Sequence, residues 1–126
     1  MKVYFVGAGP GDPELLTLKA RRLMETARCC VYAGSLINPD ILRLLPATCR
    51  RHDSASMDLR EIVETIEQCR GEDIDVIRLH SGEPSLYGAI GEQMDALDRM
   101  GVECEVVPGI SSFQAAAAAL KTELTA

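Results

Sequence analysis

The chain has 126 residues and a mass of 13.7 kDa, enough for one domain. Hydrophobic residues make up 47% and charged residues 25%, which excludes a disordered tail, a collagen-like fibre and a disulfide-knotted miniprotein. A net charge of -6 opposes contact with phosphate backbones and anionic lipid, so neither nucleic acid nor a membrane is expected as a partner.

Residues 2–6 form a compact apolar run that stops at glycine, the pattern of a buried strand. Residues 15–27 carry Leu15, Leu16, Leu23, Met24 and Ala27, which suits a helix. Cys29–Tyr32 reads as a second strand, residues 40–45 as a short helix, and residues 49–52 as a weak third strand. Leu59, Ile62, Val63, Ile66 and Cys69 recur at helical spacing and mark the clearest helix. Residues 74–79 read as a buried strand. Leu86, Ile90, Met94 and Leu97 then mark a helix that Pro84 opens and Gly101 ends. Residues 102–107 give a fifth strand, and Ser112–Leu120 a final alanine-rich helix. This alternation predicts an α/β fold: a mostly parallel five-stranded sheet flanked by helices.

The five cysteines, Cys29, Cys30, Cys49, Cys69 and Cys104, contain no C-x-x-C pair and read as reduced core residues. No metal site is expected. The N-terminus lacks the long apolar stretch and cleavage site of a signal peptide, so a cytoplasmic location is expected.

In a parallel sheet all strand-to-helix loops gather on one rim, where ligands bind. Here those loops are residues 7–13, 33–39, 53–57, 80–85 and 108–112, and seven of the ten glycines lie in or near them. The first loop, Gly7-Ala-Gly-Pro-Gly-Asp-Pro13, is not a dinucleotide fingerprint, because Asp12 stands where the third glycine should be. The second strand also lacks the terminal acid that would hold a ribose. A Walker loop is excluded too, since no lysine appears before Lys19. The first, second, fourth and fifth loops hold no Lys or Arg, whereas Asp12 and Glu83 are present, so a neutral or cationic ligand is expected. Taken singly, Ser111 or Ser112 reads as a helix cap, Glu83 as a turn carboxylate and His80 as a strand-end residue. Their gathering on one rim is the functional signal.

Three segments make the resemblance specific: the first loop and its extension through Lys19, Ser81-Gly-Glu-Pro-Ser-Leu-Tyr-Gly88, and Val107-Pro-Gly-Ile-Ser-Ser112. Together they resemble the tetrapyrrole methylases of cobalamin and sirohaem synthesis, in order and at family spacing from residue 2 to 125. Val31-Tyr-Ala-Gly-Ser-Leu-Ile-Asn-Pro39 is similar to the branch that methylates carbon 11 of precorrin-4 or cobalt-precorrin-4. The resemblance implies a transferase that moves a methyl group from S-adenosylmethionine to a tetrapyrrole precursor. Carried over by position, it implies cofactor contacts at Pro10, Ser81, Gly82, Glu83, Leu86, Ser111 and Ser112. A substrate trough is implied at Gly9, Gly11, Asp12 and Ser35. Glu83 is a departure, because the family has aspartate in that turn.

The resemblance further implies that residues 1–126 are the N-terminal domain of a two-domain enzyme that forms homodimers, with little activity in isolation. Methyl transfer of this kind asks mainly for alignment and exclusion of water. No triad is therefore expected, and Asp12 and His80 are the rim candidates for a base. Two other readings stay open. One is a relative acting on another corrin position, on diphthine or on RNA, and the other is a non-catalytic ligand-binding domain of the same fold.

Overall fold

The computed structural model describes residues 1–125. Strands β1 (Lys2–Gly7), β2 (Cys29–Tyr32), β3 (Arg50–Asp53), β4 (Val76–His80) and β5 (Glu103–Val107) form one sheet in the order β3-β2-β4-β1-β5. Every neighbouring pair is parallel, with Gly7 opposite His80 and Val6 opposite both Leu79 and Val107. The predicted parallel α/β architecture is the one observed.

Both faces are covered, which is why the central strands read as nearly continuous apolar runs. On one face Val6, Cys30, Ile77 and Leu79 pack with Ala20 and Met24 of α1 (Leu18–Glu25) and with Ile41 of α2 (Pro39–Leu42). On the other, Val3, Phe5, Val31 and Val76 meet Ile62, Ile66 and Cys69 of α3 (Leu59–Gly71) and Leu97 of α4 (Ile90–Arg99). The connection after β1 therefore leaves over one face toward β2, and that after β4 leaves over the other toward β5. Between β1 and β4 the winding reverses, and a crevice opens at such a point.

Several elements differ from their predicted bounds: β1, β3 and β5 by one residue, and α2, expected over residues 40–45, ends already at Leu42. Helix α1 starts at Leu18 rather than at residue 15, because Thr17 caps it by accepting from the Ala20 N–H at 3.0 Å. Leu15 instead closes a 3-10 turn, Pro13–Leu15. Strand β4 begins at Val76, two residues later than expected, after Asp73 turns the chain at φ 54. The largest correction concerns Pro84, which does not open α4. Its side chain is buried, and α4 begins only at Ile90, after Tyr87 and Ala89 adopt left-handed backbone at φ 60 and 51. Gly88 lies against the Pro84 carbonyl, so residues 84–87 fold back on themselves instead of continuing as helix. The last helix, α5 (Ser112–Leu120), has the expected bounds.

Among the described residues no helix is long and apolar enough to cross a membrane.

Candidate functional site

The loops after β1, β4 and β5 meet at the reversal point through main chain alone. A Cβ on Gly7 would stand 2.6 Å from the carbonyl oxygen of Gly82, and Gly109 is crowded by the same oxygen and by Gly7. Only glycine permits that approach. One step further out, the Gly82 N–H donates to the Gly9 carbonyl at 2.8 Å and the Gly9 N–H donates to the Gly82 carbonyl at 3.2 Å. Both residues have positive φ, 72 for Gly9 and 63 for Gly82, a conformation that favours glycine. This small antiparallel bridge ties the two loops across the crevice.

Above it lies a cleft of about 280 Å³. Gly9, Pro10, Ser81, Gly82, Ser111 and Ser112 line it, and Glu83 supplies its carboxylate. Leu36, Leu86, Tyr87 and Phe113 complete the wall, each with its side chain well exposed. No lining residue is Lys or Arg. Such a site disfavours a polyphosphate and accepts an apolar or cationic group.

The polar side chains are arranged by their own loops. The Ser111 N–H and hydroxyl both donate to Gln114 Oε1, at 3.0 and 3.1 Å, and so fix the entry to α5. Glu83 Oε2 accepts from the Ser85 N–H at 2.7 Å and from the Ser85 hydroxyl, closing the turn over buried Pro84. At Ser112 and Phe113 the first-turn N–H groups of α5 have no helical carbonyl to pair with. These two residues also line the cleft.

Every residue expected to contact a cofactor, from Pro10 through Ser112, lines this one cleft. The expected trough residues divide. Gly9 lines it, but Gly11, Asp12 and Ser35 do not. The Gly11 carbonyl accepts from Asn38 Nδ2 at 2.8 Å, and Ser35 is exposed on a 3-10 turn whose next residue, Leu36, reaches the cleft instead.

The two base candidates, Asp12 and His80, lie outside the lining of this cleft. Asp12 is exposed and caps the 3-10 turn, accepting from the Glu14 N–H at 2.9 Å. His80 is buried, stacked on Phe5 with ring centroids 6.0 Å apart, and among the described residues its Nε2 has no hydrogen-bond partner. Burial pushes its pKa down to about 4, helped by Arg78 and opposed by Glu83, so the ring is neutral near pH 7. Leu36, Tyr87 and Phe113 were not anticipated. Periodicity is silent on apolar residues in loops, and the one available signal was their position beside glycine- and serine-rich turns.

The sequence matches the family model for tetrapyrrole (corrin/porphyrin) methylases over residues 2–126. The chain belongs to the tetrapyrrole methylase family. Among curated members, the cobalt-precorrin-4 C(11)-methyltransferase of Methanocaldococcus jannaschii is 47% identical over 124 residues, covering 98% of this chain and 48% of that protein. The X-ray structure of a cobalamin biosynthetic enzyme, cobalt precorrin-4 methyltransferase, superposes with a TM-score of 0.96 at 44% identity. That match covers 99% of this chain and 52% of the other. A uroporphyrin-III C-methyltransferase from Thermus thermophilus, solved in complex with S-adenosyl homocysteine, gives a TM-score of 0.80 at 38% identity, covering 93% of this chain and 48% of that one. This tetrapyrrole methylase chain spans about half the length of the curated relatives it matches.

Proposed function

We propose that this chain forms the methyl-donor site of an S-adenosylmethionine-dependent methyltransferase acting on carbon 11 of precorrin-4 or cobalt-precorrin-4. The observation that carries the reading is the cleft at the winding reversal, walled by apolar side chains and main chain and free of lysine and arginine. Its donor set fits S-adenosylmethionine, which has a sulfonium cation and no phosphate.

When bound, that molecule supplies an activated methyl group whose departure leaves a neutral thioether and needs no proton from the protein. The residues of this chain then bind, orient and exclude water. Leu36, Leu86, Tyr87 and Phe113 give the cleft an apolar wall that excludes water once it is covered, which strengthens the electrostatic contacts inside it. Glu83 places the negative charge of the wall, and the bridge between Gly9 and Gly82 fixes the floor. Alignment of this kind is worth up to about 7–11 kcal/mol of a bimolecular barrier.

The same reading makes residues 1–126 the N-terminal half of the enzyme, with a second domain completing the site in a homodimer. The exposed wall residues support it, as apolar surface awaiting cover. It also places the protein in the cytoplasm, which its free cysteines support. Nucleic acid and membrane have no part in it.

Calorimetric titration with S-adenosylhomocysteine tests the assignment. Binding is expected to this chain, weakly, and more tightly to a version extended past Ala126, with no competition from ATP or NAD. Failure of both versions to bind would remove the donor reading.

A further inference from the structure

Strand β4 is buried along its whole length, yet its third residue is an arginine. Arg78 is 6% exposed and, among the described residues, has no carboxylate partner. Its bonds go to neutral groups. Nε donates to Gln93 Oε1 at 3.0 Å, and an Nη donates to the Val31 carbonyl at 3.4 Å. Gln93, itself 8% exposed, turns its amide nitrogen to the Ala89 carbonyl at 3.5 Å. Burial lowers the pKa of Arg78, the cost expected of a guanidinium without a counter-charge.

The bonded groups lie at the two ends of one loop. Arg78 precedes it on β4, Ala89 ends it as the cap of α4, and Gln93 sits in the first turn of that helix. Between them run Ser81, Gly82, Glu83, Leu86 and Tyr87, all in the cleft wall. Ala89 caps α4 in left-handed backbone with no side-chain hydrogen bond of its own, and the Gln93 amide donates to its carbonyl from one turn into the helix. Val31 adds a third anchor, because β2 leads directly to the turn that carries Leu36.

We propose that Arg78 and Gln93 are positioning residues: a buried clamp that closes the base of the β4–α4 loop and thereby holds the cleft wall in its ligand-binding shape. The proposal rests on the donor reading for its ligand but not for its geometry. Replacing a purely structural arginine would leave the Gln93 and Val31 acceptors unpaired and lower stability without changing ligand affinity at equal folded fraction. Replacing a clamp would lower that affinity as well.

The experiment compares Arg78→Met, Gln93→Leu and the double variant with the parent chain. Amide hydrogen exchange is expected to accelerate roughly tenfold across residues 81–90 while β1 and the centre of the sheet keep their protection. Affinity for S-adenosylhomocysteine should fall roughly tenfold or more in each variant, the double variant being no worse than either single one. Gln93→Glu, which keeps the acceptor for Arg78 but loses the donor to Ala89, should preserve thermal stability and still weaken binding. Exchange that rises evenly over the chain, or variants that keep both loop protection and affinity, would overturn the clamp. Local loosening in the variants, with a parent chain that itself never binds S-adenosylhomocysteine, would uphold the clamp and remove the donor reading instead.

Discussion

Gly7 and Gly109 meet backbone to backbone: a Cβ added to Gly7 would lie 2.7 Å from the Gly109 Cα. Two strand ends would have to part to admit it. Gly7→Ala is therefore expected to cost about 1–3 kcal/mol, the range for overpacking a rigid site. Urea denaturation reads this directly, and a variant as stable as the parent would show that the loops are free to separate.

Gly91 is the opposite case. It lies inside α4 with open space where its Cβ would be. Gly91→Ala should stabilise the protein by about 0.5–1 kcal/mol, because glycine loses the most freedom on entering a helix. A fall in Tm would contradict the described position of α4.

His80 makes stability depend on pH. Its folded pKa, about 4, lies below the ordinary 6.5, so between those values the unfolded chain takes up a proton that the folded chain refuses. Stability is full above pH 6.5 and is lost as the pH falls toward 4, by about 3 kcal/mol. His80→Leu removes the titrating group, and its unfolding free energy should flatten across that window. An unchanged slope in the variant would assign the loss to other groups.

Tyr87 is fully exposed and held at φ 60, a conformation unfavourable for an aromatic residue. Tyr87→Gly relieves about 1 kcal/mol of backbone strain. The variant should be at least as stable as the parent yet bind S-adenosylhomocysteine less tightly, since a wall of the cleft is gone. Unaltered affinity would place the ring outside the binding surface.

The thiols should be inert in the native state. Burial raises the pKa of Cys29 and pushes that of Cys30 up to about 12, and it raises Cys49 and half-buried Cys104 as well. Titration with an aromatic disulfide at pH 8 should label Cys104 first and slowly, and all five cysteines only after denaturation. Rapid labelling of Cys29 or Cys30 would contradict their burial.

The strands and the cleft were largely legible in the sequence, for different reasons. Val3, Phe5, Val76 and Leu79 stand in short runs bounded by turns, a local pattern that burial on both faces imposes. The loops could be placed because a parallel sheet sends all its strand-to-helix loops to one rim, and the family resemblance picked out the individual cleft residues within and beside them. The direction of individual side chains was less legible. Asp12 and His80 sit on the rim in sequence, but one turns back to cap its own loop and the other turns under the sheet onto Phe5. Leu86 fell on a helical period by coincidence, since the path of residues 84–89 is set by Gly88 packing on Pro84. The clamp between Arg78 and Gln93 joins residues 15 apart, beyond the reach of any short periodicity.

The main-chain floor divides the molecule's freedom to change. Gly7 and Gly109 have no room for a side chain and Gly82 is held at φ 63, so replacements there strain the floor rather than retune it. The four apolar residues above it protrude into solvent, and each can be swapped without disturbing the sheet. Variation in how tightly the cleft holds its ligand is thus confined to the rim, while the seat beneath it stays as it was.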